Sequence, residues 1–499
     1  MRWGADGKLY VAQAFGSQIS AVDVATGIAD IVSATDGAIV APDDLAFDSQ
    51  GNLFVTEVMS ARVSAIRTNG AVDIIASNLP VANGVTVHGD RIYMSEFNPE
   101  GRLWELFADG STPRLISSGL MMPNALSLGP DGMLYFPLVP LGEIWRVALD
   151  GSGLERVAGE LDIPTAVKFD AQGRLFTVES GSGAITIIDP ARGTKSEFAR
   201  LAYGLDNLAF APDGRMFVSH FTDGELIELA PDGRQRVAVA GAMAGPFGLS
   251  EAADGSLLVA DGMSLAAVDR SGAVTRPGML LQHGFPGYVR GVAAGTDGSI
   301  VVTNSAGQCS RYQPGIPAEM LMDGLESAMA VIVASNGDIV LCDADAGRVI
   351  AISANGQVST LADALQQPVG IAEAPDGGFF VSEAKAGRLV HLGSGGATTL
   401  AGGFIEPHGV TVLNDKIFVL DRGDGTLYQS FTERSEVRPV VRNLPCGTAG
   451  KMSPNILPGI KDLMPGPLLP FADIAAWQGK YVAVCGDRSG SILLVSGDD

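Results

Sequence analysis

The chain has 499 residues, 46% of them hydrophobic and 18% charged, which is enough apolar material for more than one core. Its 33 Lys and Arg face 56 Asp and Glu, and the formal net charge of -23 excludes a nucleic-acid backbone as a partner while suiting cations or neutral small molecules. No apolar run is long enough to span a bilayer, and the opening MRWGADGKLYVAQ lacks a basic segment followed by an apolar one. The expectation is therefore a soluble, cytoplasmic protein without a membrane partner, with a periplasmic or secreted location left open. Cys309, Cys342, Cys446 and Cys485 are widely spaced and read as free buried thiols.

From the first residues onward the chain repeats itself. An apolar run, a turn with Gly or Asp, a second run such as LYVAQ, a third such as ISAVD and another turn recur, with the turn before the second run marked by Gly7, Gly51, Asp90 and so on to Asp415 and Gly479. Twelve copies follow at spacings of 38 to 44 residues, except the last, at 64. In LAFDSQGNLFVTEVMSARVSAIRTNGAVDIIA the runs alternate or are wholly apolar over four to six residues, with no helical period, so each copy predicts four short antiparallel strands. Such a unit is the blade of a β-propeller, and twelve blades exceed what one ring usually holds. The predicted fold is all-β, two tandem propellers of about six four-stranded blades each, residues 1–243 and 244–499. Because the first copy begins inside its innermost strand, a second partition places the boundary near 285 and uses residues 1–40 to close the C-terminal ring.

The residues that open the innermost strands converge on a propeller axis although they lie about 40 positions apart. In copies two to six this column reads Asp43, Asn83, Asn124, Thr165 and Asp206; in copies seven to twelve it reads Phe247, Arg290, Met329, Val369, His408 and Ala472. Two carboxylates and two amides offer the oxygen donors that a hard cation such as Ca²⁺ or Mg²⁺ takes, so Asp43, Asn83, Asn124 and Asp206 are candidate metal ligands, with Asp44 and Asn207 nearby. The competing reading is that Asp and Asn satisfy backbone groups where strands begin. His220 closes the second strand of the copy opened by Asp206 and is a candidate general base. Glu57, Glu96, Glu179 and Glu383 recur at the same strand end and read as structural hydrogen-bonding groups.

The Pro-Asn-Ala-Leu and Ala-Asn-Gly-Val openings, Leu205-Asp206-Asn207-Leu208 and the Asp43-Asp44 pair resemble the metal-binding strand starts of the SMP-30/gluconolactonase and paraoxonase group of six-bladed propellers, while the repeat style is close to NHL-type blades. That resemblance implies a central divalent cation, Ca²⁺ before others, and metal-dependent hydrolysis of a lactone or related ester. It departs from the group in offering Asp where the opening blade typically supplies Glu. A non-catalytic NHL-type scaffold or sensor that binds a protein or small ligand is the alternative. In the second half, the Pro407-His408-Gly409 opening resembles virginiamycin B lyase, which implies a third reading, elimination at a C–O bond with His408 and Arg290 as the alternative site. Arg290 also matches a carboxylate substrate. A Pro/Gly-rich insertion at 445–470, carrying Met452, Ile456, Leu457, Leu463 and Met464, precedes the last inner strand and is expected to lie over a channel mouth or to seal an interface.

Overall fold

The turn between the first two strands of a blade shows why the chain doubles back. Asp48 Oδ1 accepts the N–H groups of Gln50 and Asn52 at 2.9 and 2.8 Å, and Gly51 takes φ +86°, a conformation that a side chain would strain. Apolar alternation on either side then pairs Ala46 with Phe54 and Phe47 with Leu53. The computed structural model describes residues 1–14, 16–89, 91–279, 288–314, 316–431, 434–446, 459–460, 464–465 and 471–497.

The fold is an all-β propeller architecture. Among the described residues there are eleven four-stranded antiparallel meanders, at 2–33, 42–77, 82–120, 127–158, 164–200, 205–239, 246–279, 289–322, 328–362, 368–402 and 407–441, and a twelfth of three strands at 474–496. The only helical element among them is the 3₁₀ turn Val139–Leu141. No helix among them is long and apolar enough to cross a membrane. Gly459–Ile460 and Met464–Pro465 form a small extra ladder, and the rest of the insertion, with Met452, Ile456, Leu457 and Leu463, lies outside the described residues.

The chain divides into two compact units, and Met1–Gly241 belong to the first. Within it the innermost strands neighbour one another in the order of the chain, and the strand Arg2–Trp3 closes the cycle between Leu205–Phe210 and Pro42–Phe47. Apolar packing fixes that closure: Leu9 and Val22 share a core with Phe217 and Leu226, and the Trp3 and Phe217 rings lie 5.3 Å apart. Residues 1–33 thus bury their apolar face against the sheet at 205–239. In the second unit the inner strands form an equivalent cycle, closed by the sheet at 474–496 against that at 246–279. Leu257 and Val259 pack on Ile474, Trp477 and Val484, and Trp477 Nε1 donates to Gly255 O at 3.0 Å.

Neighbouring inner strands are pinned by a recurring hydroxyl on the penultimate residue of the second strand. Thr56 Oγ1 accepts from Asp44 N at 2.9 Å and donates to Asn83 O in the next blade. Ser95 accepts from Gly84 N and donates to Asn124 O, both at 3.0 Å, while Thr303 and Ser382 repeat the pattern in the second unit. The strand approach there is close: a Cβ on Gly370 would lie 2.0 Å from His408 O. Thr56→Val keeps the shape but orphans a buried donor and acceptor, so urea unfolding is expected to show a loss of about 2 kcal/mol. An unchanged midpoint would show that the pin contributes nothing.

Candidate functional site

The inner strand of each blade carries three positions that matter at the axis. The second residue opens toward the axis, the third packs against the neighbouring strand and is mostly Gly or Ala, and the fifth lies one turn of the pleat deeper. In the first unit the second position holds Asp43, Asn83, Asn124, Thr165 and Asp206, and the third holds Asp44, Gly84, Ala125, Ala166 and Asn207.

Asp44 is fully buried and organises the hub. Its Oδ1 lies 3.3 Å from the Asn207 amide and 3.4 Å from the Met1 amino group; its Oδ2 accepts from Val85 N at 3.2 Å and lies 3.9 Å from Arg2 Nη2. Burial pushes its carboxyl up, but the Lys168 ammonium, the Met1 amino group and the Arg2 guanidinium outweigh burial and hold it at about 2. Asp43 and Asp206 differ. Among the described residues neither side chain accepts a hydrogen bond, and burial followed by the Asp206 and Asp44 charges pushes Asp43 well above the usual carboxylate range. Burial raises Asp206 to about 6, with the Met1 amino group opposing and Asp44 adding to the rise.

The two asparagines occupy unlike surroundings. Asn83 is buried and its Oδ1 has no hydrogen-bond partner among the described residues, whereas Asn124 Oδ1 accepts from Ala125 N at 2.7 Å. Thr165 Oγ1 donates to Leu205 O at 3.2 Å and so ties two blades. The two repelling carboxylates and the donor-free amide oxygen fit the ligand preference of a hard divalent cation. Among the described residues no group of three or more His, Cys, Asp or Glu side chains converges, so amide oxygens would have to complete such a site.

Two cations at this hub escape a reading confined to the second position. Lys168 stands at the fifth position of its strand, where the neighbouring copies have Ala46, Thr86, Ser127 and Ala209, and Arg2 is its equivalent in the first blade. Burial, then Arg2, pull the Lys168 ammonium down to about 7 against the attraction of Asp44. The signal was present as two charges, Arg2 and Lys168, in a column otherwise made of small residues.

His220 is buried and pairs across the ladder with Leu205, next to Asp206. Its Nε2 lies 3.3 Å from Ala202 O; a carbonyl only accepts, so Nε2 carries the proton. The other ring nitrogen, Nδ1, lies 3.6 Å from Glu225 Oε2. The recurring glutamates at this strand end are structural: Glu57 accepts from Val40 N at 2.7 Å and pairs with Arg62, and Glu179 accepts from Asp162 N at 2.8 Å. Glu96 pairs with Arg102, and Glu383 with Arg388.

In the second unit Arg290 and His408 are both buried and stand on opposite sheets of the cycle. Arg290 Nη1 lies 3.8 Å from Met329 Sδ; burial lowers the guanidinium to about 10, with Asp345 opposing. His408 Nδ1 accepts from Ala472 N at 3.3 Å, which leaves the proton on Nε2, 3.5 Å from Glu406 Oε1. Arg422 holds the other Glu406 oxygen at 2.6 Å. Burial depresses His408 while Glu406 counteracts it. Asp473, one place beyond the column, is buried, accepts from Leu249 N at 3.2 Å and is raised by burial to about 7.

No protein-family model matches the chain, and no curated protein matches it. Similar solved structures include a gluconolactonase from Xanthomonas campestris, at 23% identity over 45% of this chain and 84% of that one, with a TM-score of 0.36. They also include virginiamycin B lyase from Staphylococcus aureus, at 11% identity over 67% and 94% with a TM-score of 0.34. A third is a chain of the nidogen/laminin complex, at 19% over 44% and 88% with a TM-score of 0.40. The gluconolactonase and virginiamycin B lyase groups are among those that the sequence resembles, and these likenesses concern the fold alone.

Proposed function

We propose that each unit is a separate six-bladed propeller, with the boundary at about residues 241–246, and that the first is a divalent-metal-dependent hydrolase of a lactone or related ester. What carries this reading is the pair Asp43 and Asp206: two strand-opening carboxylates that accept no hydrogen bond among the described residues and are both pushed up by burial, with the Asp206 charge adding to the rise at Asp43. Asp43, Asn83, Asn124 and Asp206 would hold the ion, Ca²⁺ before Mg²⁺. When bound, the cation supplies Lewis-acid polarisation of the ester carbonyl and acidifies a water molecule. Asp44 and Asn207, bonded to each other, keep the strands that carry Asp43 and Asp206 in register. His220, with its proton fixed on Nε2 toward Ala202 O, keeps Nδ1 as the basic nitrogen for removing a proton from the attacking water.

Metal analysis of the purified full chain, followed by turnover on a panel of lactones with and without a chelator, tests this reading. Calcium together with chelator-sensitive turnover supports it. Calcium without turnover favours the binding scaffold, and no metal ends the hydrolase reading. His220→Gln is expected to lower kcat by about a hundredfold with calcium affinity unchanged; equal loss of both would make the imidazole structural. The arrangement of His408, Glu406 and Arg422 favours a second reading, an eliminating enzyme centred in the second unit. Activity that survives Asp206→Asn but not His408→Ala would establish it.

A further inference from the structure

Lys168 Nζ is buried, with the residue 5% exposed, and has no hydrogen-bond partner among the described residues. Among the described residues no carboxylate lies within ion-pair distance of it; Asp44, whose charge attracts it, is engaged by Met1, Asn207, Val85 and Arg2. The sheets that carry Lys168 and Asp44 are opposite in the cycle of six, so their attraction acts across the axis and the amine faces the hub. Arg2 joins it from the first sheet, donating to Val85 O at 2.5 Å. An ammonium whose donors meet no acceptor is costly to bury, and an oxyanion between Lys168 and Arg2 removes that cost.

We infer that this level of the hub binds a carboxylate, and that the substrate of the first unit carries a carboxylate group apart from the ester bond that is cleaved. The anion site stands on Lys168 and Arg2; the word substrate rests on the hydrolase reading. Asp43 opens its strand three residues before the equivalent position, Ala46, which sets the two levels roughly 10 Å apart along the axis. A molecule that reaches both is therefore a short chain with an anionic far end.

Calorimetry of the full chain with glutarate and with 1,5-pentanediol, each in calcium and in EDTA, tests the inference. Wild type is expected to bind glutarate and not the diol. Lys168→Met and Lys168→Gln are both expected to weaken glutarate by about tenfold or more. Calcium binding, measured with the metal alone, is expected to stay unchanged in both variants, and without ligand Lys168→Met is expected to melt at or above wild type, because the unpartnered amine is gone. No glutarate binding, equal binding of the diol, unaltered affinity in the variants, or a lower melting point of Lys168→Met in the absence of ligand would each overturn the inference. Lys168-dependent glutarate binding in EDTA, in a protein that takes up no calcium, would uphold the anion site and end the hydrolase reading alone.

Discussion

Asp473→Asn is expected to stabilise the second unit above pH 7 and to leave it almost unchanged at pH 4. Asp473 immediately precedes the strand Ile474–Trp477 that closes the second cycle and accepts Leu249 N, a bond that an Asn Oδ1 can keep. Unlike Asp44, which makes the corresponding bond to Val85 N, it has no cation among the described residues to offset its burial. Its folded pKa is raised from the ordinary 3.8 to about 7, so the fold favours the protonated form. The resulting contribution is complete below pH 3.8 and is lost as pH rises through about 7. At about 1.4 kcal/mol per pH unit the loss amounts to at most about 4 kcal/mol. The neighbouring thiols of Cys342 and Cys485 are pushed up by burial and stay neutral throughout this window. Urea unfolding at pH 4 and pH 8 measures the effect, and an equal midpoint difference at both values would show that Asp473 does not titrate as argued.

Asp206→Asn carries the second large effect and has two opposite signs. Without metal the variant is expected to melt higher than wild type above pH 6, because a carboxyl raised to about 6 by burial and by Asp44 no longer has to ionise. With calcium the order reverses. Wild type gains stability from the bound ion, whereas the variant, one charge poorer at the site, binds calcium at least about a hundredfold more weakly and loses turnover in step. Thermal melts over a calcium series give both signs in one experiment. A variant that responds to calcium as wild type does would remove Asp206 from the ligand set.

The repeat was legible because a blade needs the same turn and strand periods each time, and Gly51 with Asp48 shows the physical requirement in miniature. Glu57 and Glu179 were legible for the same reason: a backbone N–H at a fixed place in every blade needs an acceptor. That Asp43 and Asp206 hold the same place in their inner strands was legible because the strand openings recur at a fixed point of every blade. Lys168 and Arg2 did not follow, because the column was read at one strand position and charge enters the hub again three residues deeper. Asp473 was missed for a related reason: it stands at the third strand position, like Asp44, one place beyond the Ala472 that the column included. The surroundings of His220 could not be foreseen either, since the Ala202 carbonyl and Glu225 reach it from loops that carry no periodic pattern.

The hydroxyl pins and the small residues beside them divide labour along each inner strand. Thr56, Ser95, Thr303 and Ser382 grip backbone atoms, which every amino acid supplies, and Gly84, Gly291 and Gly370 leave room for that grip. At Asp43 and Asp206 the adjacent side chain makes no such bond among the described residues, although Thr165, Asn124 and His408 at the same place do bond backbone atoms. An engineer could therefore rewrite that one site, blade by blade, exchanging acid for base or imidazole for methyl, while the toroid keeps its dimensions. The chain already contains such a pair of rewritten versions, one acidic and one aromatic and basic, on closely similar frames.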